Sequence, residues 1–73
     1  MKGVRQMLEK RDANRIYPFC NEFAELWARY PNLRFGQIMS NVERFVQYEY
    51  GKDMFYVEDD ELMKIIHLIY QSN

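Results

Sequence analysis

Apolar residues recur along most of this chain at the spacing of a helix. Ile16, Phe19, Cys20, Phe23, Leu26, Trp27 and Tyr30 fall three, four and seven residues apart, which keeps them on one side of a 3.6-residue winding. Pro18 suits a first helical turn, where its missing amide hydrogen is no loss, so this helix should begin near Tyr17. Pro31 should end it, because the residue before a proline is driven out of the helical region. Phe35, Ile38, Met39, Val42, Phe45 and Val46 repeat the pattern. A second helix is expected from Asn32, whose side chain can cap it, to Tyr50, with Gly51 as its stop.

The last stripe is Leu62, Ile65, Ile66 and Ile69. Glu58 stands at the capping position, and Asp59, Asp60 and Glu61 fill the first turn, where negative charge meets the positive end of the helix dipole. Val57 and Leu62 then occupy the two positions of a hydrophobic staple. Met54, Phe55 and Tyr56 make the preceding stretch an apolar connector that should pack across the helices. Residues 1–13 carry Val4, Met7 and Leu8 at helical spacing, but Gly3 and the charges around them make that a weak helix or a basic arm over 1–15. The expected fold is all-α: one domain over 1–73, a small bundle of three main helices plus a weak N-terminal one, closed around Trp27.

Composition narrows the class. With 73 residues, 48% of them hydrophobic and 16% aromatic, the chain is one small domain and too apolar for a disordered tail. One cysteine makes neither an internal disulfide nor a cysteine-based zinc site. The first fifteen residues have no apolar stretch of signal-peptide length, and the longest strongly apolar run, Ile65 to Tyr70, is far too short to span a membrane. A cytoplasmic protein with Cys20 as a free, buried thiol is the expectation.

The net charge of -1 conceals a polarised chain. Residues 1–15 hold Lys2, Arg5, Lys10, Arg11 and Arg15 against Glu9 and Asp12, a net of +3. Residues 51–73 hold Lys52 and Lys64 against Asp53, Glu58, Asp59, Asp60 and Glu61, a net of -3. If the two ends meet, that asymmetry is spent internally; if not, each end shows its field to a partner.

Two motifs resemble those of a known group. Trp27, then Pro31-Asn32-Leu33-Arg34-Phe35-Gly36-Gln37, then Phe55-Tyr56-Val57-Glu58-Asp59-Asp60-Glu61-Leu62, is similar to a pattern in short bacterial and prophage-associated proteins. Asn32 stands where that pattern has Asp, and both residues cap helices. The resemblance covers about half the chain. It implies a helical fold and phage or mobile-element ancestry, and it carries no catalytic role.

Candidate chemistry is sparse. Arg34 can bind a phosphate or carboxylate ligand, or pair with the Glu58–Glu61 acids and tie two helix starts together. The acidic run can hold a cation or dock a basic partner, but it lacks the loop spacing and glycine of an EF-hand. His67 has no second histidine or paired cysteine beside it and no nucleophile in register, so neither a metal site nor acid–base catalysis assembles around it. Gly36 belongs to no phosphate-cradling loop and should instead let Trp27 or another helix come close. Phe19, Phe23, Trp27, Phe35 and Phe45 should be core, whereas Tyr48, Tyr50 and Tyr70 lie at stripe ends and suit an interface.

Two functions follow as expectations. The first is a non-enzymatic protein-interaction module, able to self-associate, whose surface comprises Arg34, Asp53, Tyr56, Glu58, Asp59, Asp60 and Glu61. The alternative is a nucleic-acid binder in which a helix-turn-helix presents Arg34, Gln37, Asn41 and Arg44 beside the basic N-terminus. No catalytic group, cofactor site or metal site is expected, and no membrane partner.

Overall fold

The computed structural model describes residues 11–70, and they form an all-α fold. A 3-10 turn, Ala13–Arg15, leads into α1 (Ile16–Ala28); α2 (Phe35–Tyr50) follows, then a 3-10 turn at Met54–Tyr56 and α3 (Asp59–Tyr70). The weak N-terminal helix expected on Val4, Met7 and Leu8 lies outside the described residues.

Helix α3 packs against both α1 and α2. Three links between α1 and α3 advance along both helices together: Arg15 to Asp59, Glu22 to His67 and Tyr30 to Tyr70. The two helices are therefore parallel, with their starts at one end of the bundle. Helix α2 runs back the other way. Phe35 at its start meets Phe23 and Trp27, and the turn after its end leads to Glu58 at the opposite end.

The core comprises Leu26 from α1, Ile38, Val42 and Val46 from α2, and Ile65, Ile66 and Tyr70 from α3. All but Tyr70 are members of the three predicted stripes. Val42 and Val46 are fully shielded, which places the middle of α2 deepest. The indole is not the centre. Trp27 is half-buried at the edge, grouped with Phe23 and Phe35 at centroid separations of 5.7 to 6.0 Å. Phe35, expected in the core, is 52% exposed because it caps this ring cluster from the solvent side. Cys20, expected to be buried, is exposed. It lies outward of the α1 face that Leu26 turns to the core.

Tyr70 reverses the expectation in the other direction and is only 9% exposed. Its hydroxyl accepts from Asn41 Nδ2 at 2.8 Å, and the Tyr30 hydroxyl donates to its backbone carbonyl. Both polar groups are thus satisfied, which removes the cost of burying the ring at the end of α3. Asn41 comes from α2, Tyr70 from α3 and Tyr30 from the turn after α1.

Helix α2 begins two residues later than the Asn32 cap implies. The Trp27 indole N–H donates to the Leu33 carbonyl at 2.7 Å, within the turn that precedes the helix. The first bonds run instead to the Arg34 carbonyl, from Gln37 and Ile38. Arg34 is the residue flanking the helix start, and Gln37 Oε1 accepts from its backbone N–H at 2.7 Å. Arginine has no acceptor on its side chain, so only this return half of a capping box exists. Asn32 is left as an exposed turn residue.

The two described glycines that flank or enter α2 have opposite roles. Gly51 ends the helix with φ at 64°, the left-handed region in which a side chain is strained. Gly36 was expected to admit a close neighbour, yet a Cβ built there meets nothing within 4 Å. Gly36→Ala should therefore raise stability by about 0.5 kcal/mol through lost chain entropy. Gly51→Ala should lower it by about 1 kcal/mol. Urea unfolding midpoints of the two variants measure both signs.

Candidate functional site

The expected surface residues divide between two regions. Asp53 to Glu61 run through the second 3-10 turn into α3, at the end of the bundle where α1 also begins. Arg34 sits at the start of α2, at the other end. It makes none of the expected ion pairs with Glu58–Glu61. Glu58 and Asp59 are met instead by Arg11 and Arg15.

The local chemistry of this segment is well determined. Asp53 Oδ1 accepts from the Phe55 N–H at 2.8 Å, which opens the 3-10 turn. Met54 and Val57 pack on the core, so the two residues between them are pushed outward. Phe55 is 56% exposed and Tyr56 50%, their rings edge to face at 5.0 Å. The apolar connector therefore packs by only half of its residues. Glu58 precedes α3, and its carbonyl takes the first helical bond, from Leu62 N–H at 2.8 Å. Leu62 packs on the core together with Val57, as a staple requires. Asp60 Oδ1 accepts from the Glu61 N–H, which satisfies one of the donors left open at the helix start.

Two arginines of the basic segment meet the acidic run here. Arg11 reaches Glu58 with one contact of 2.8 Å and a longer one of 3.4 Å, and Arg15 Nε lies 2.7 Å from Asp59 Oδ2. All four side chains are well exposed. Arg11, by its hydrogen bond and then by its charge, holds the Glu58 carboxyl below its ordinary value, while burial and the neighbouring Asp59 and Asp60 work weakly against it. A cation is disfavoured at the positive end of a helix, and Arg15 occupies that place on α1. Asp59 offsets it. The compensation expected for Arg34 is thus made for Arg15.

His67 has a partner that its own helix does not supply. Nε2 lies 2.7 Å from Glu22 Oε2 on α1, a cross-link between the parallel helices. A carboxylate next to an imidazole is the orienting half of a catalytic relay. Here the other ring nitrogen, Nδ1, is buried with no partner among the described residues. The atom that would have to meet a nucleophile or substrate thus faces the interior. No cluster of three or more metal-ligating side chains occurs among the described residues.

The helix-turn-helix arrangement has also spent part of its polar set. Gln37 accepts from the Arg34 backbone, and Asn41 donates to Tyr70. Arg34 and Arg44 stay exposed. Among the described residues, no helix is long and apolar enough to cross a membrane. Comparison with protein-family models, with curated proteins and with solved structures finds no match.

The Glu58 pairing has a consequence for pH. A carboxyl whose folded pKa lies below its unfolded one favours the folded state while ionised. Its contribution is complete above the unfolded carboxylate range and disappears as pH falls through the lowered folded value. Melting temperature should therefore fall on acidification, and Arg11→Gln should flatten part of that slope. Thermal scans of both proteins from neutral to acid pH check this, and added salt should shrink the difference between them.

Proposed function

We propose that this chain is a non-enzymatic helical module that binds another protein through the aromatic and acidic surface from Asp53 to Glu61. The observation that carries the reading is the Phe55–Tyr56 pair, two large rings kept half in solvent by a turn whose neighbours are locked into the core. Rings that cost little entropy to hold still and that combine apolar faces with a hydroxyl are favoured at protein interfaces. Asp60 and Glu61, on the exposed side of the first turn of α3, set a negative rim beside them. Arg34 lies too far along the bundle to belong to this surface and drops out of it.

The resemblance of the Trp27 to Gln37 and Phe55 to Leu62 motifs supports a bacterial, phage or mobile-element origin, and the cytoplasm is the compartment that fits a lone exposed thiol. A second copy of the chain is one partner this surface would accept. The nucleic-acid alternative has less support, because Arg11 and Arg15 already neutralise carboxylates of this same chain.

Affinity capture from the native cytoplasm, with the wild type and Phe55→Ser/Tyr56→Ser compared, tests the proposal. Both rings are largely exposed, so the helical circular dichroism should survive. A partner held by the wild type should be lost from the variant by about tenfold or more, as for a central interface anchor. Equal capture by both proteins would place the interface elsewhere.

A further inference from the structure

The segment before α1 is attached to the bundle in a different way from everything after it. None of the residues of the Ala13–Arg15 turn is buried, and Arg11 and Asp12 are exposed as well. Its internal order is local: Asp12 Oδ1 accepts from the Asn14 N–H at 2.9 Å, and the Asp12 carbonyl accepts from Arg15 at 3.1 Å. Its ties to α3 among the described residues are the Arg11–Glu58 and Arg15–Asp59 ion pairs. The three helices, by contrast, are joined through the shared apolar core.

We infer that residues 11–15 form an electrostatic strap, closed over the first turn of α3 and able to open while the three helices stay folded. The argument is one of unequal forces. Burial of apolar surface is indifferent to salt at moderate concentration, whereas exposed ion pairs weaken as the screening length falls from about 30 Å at 0.01 M to about 3 Å at 1 M salt. Exposed pairs are also individually weak, so a strap whose ties to α3 among the described residues are two such pairs opens far more often than the bundle unfolds. Opening leaves Glu58 and Asp59 without their guanidinium partners. On the reading given under the proposed function, this enlarges the acidic rim beside Phe55 and Tyr56, and the strap then competes with a basic segment of a partner for the same carboxylates.

Amide hydrogen exchange followed by NMR tests the strap without any partner, so its result is separate from that of the capture experiment. The reporters are Asn14, Arg15 and Ile16, whose N–H groups are bonded within the turn. Leu26, Val42 and Ile66 report on the core. Arg11→Gln/Arg15→Gln, corrected for intrinsic rates, should speed exchange at the turn about three- to tenfold, the range that two exposed pairs supply, and leave the core amides unchanged. High salt should do the same to the wild type and have little further effect on the variant. Glu58→Gln removes one of the same links from the other side and should act in the same direction. Unchanged exchange at the turn in the double variant overturns the inference, because the segment would then be held by something else. Loss of turn and core protection together also overturns it, because the strap would then not be a separate unit.

Discussion

The need to bury the apolar face of α3 organises the whole molecule. Ile65, Ile66 and Tyr70 cannot be covered by one helix of this length, so α3 takes Leu26 from one side and Ile38, Val42 and Val46 from the other. Helices α1 and α2, in turn, meet chiefly through the rings of Phe23, Trp27 and Phe35 at one end. The hydrogen bonds of Tyr70 to Asn41 and Tyr30 bring α2 and the turn after α1 to one residue of α3. Once α3 is seated, the Trp27 indole bond to Leu33 and the core contacts of Met54 and Val57 set the two connections.

The parallel course of α1 and α3 has an electrostatic cost that the sequence has to meet. Two positive dipole ends share one end of the bundle, and Arg11 and Arg15 add charge of the same sign. Asp12, Glu58, Asp59 and Asp60 supply the compensation, by side-chain bonds to backbone N–H groups and by ion pairs. Among the described residues, two charges of the basic segment, Arg11 and Arg15, are thus spent on two of the acidic one, Glu58 and Asp59. A surface that reads from composition as strongly acidic is partly neutralised, which shifts the weight of any docking onto Phe55 and Tyr56.

Much of the fold was legible from spacing alone. The stripes of Leu26, Val42 and Ile66 are apolar and close to ideal in period, and each places at least one residue in the core. What spacing could not supply was long-range pairing. Arg15 and Asp59 are 44 residues apart, Glu22 and His67 are 45, and no local rule connects either pair. The indole bond to the Leu33 carbonyl, in the turn before α2, is likewise an interaction that caps and prolines do not encode. Tyr70 continues the Ile66 stripe by four residues, so a signal for its burial existed. Its hydroxyl argued for solvent until Asn41 was found opposite it. Cys20 and Phe35 fell on the outer margins of their stripes, where periodicity does not separate a half-buried position from an open one. For the candidate surface, the exposed rings were legible as residue types but not as a pair turned outward by Met54 and Val57.

The dependence of the bundle on α3 can be measured through a probe that sits on another helix. Ile66→Ala removes a fully buried side chain from α3 and should cost about 2–5 kcal/mol. Trp27 fluorescence and far-ultraviolet circular dichroism, followed in urea, should show one coincident transition displaced to lower denaturant. A Trp27 transition that stays at the wild-type midpoint while helix is lost would mean that α1 and α2 hold together without α3, contrary to this account.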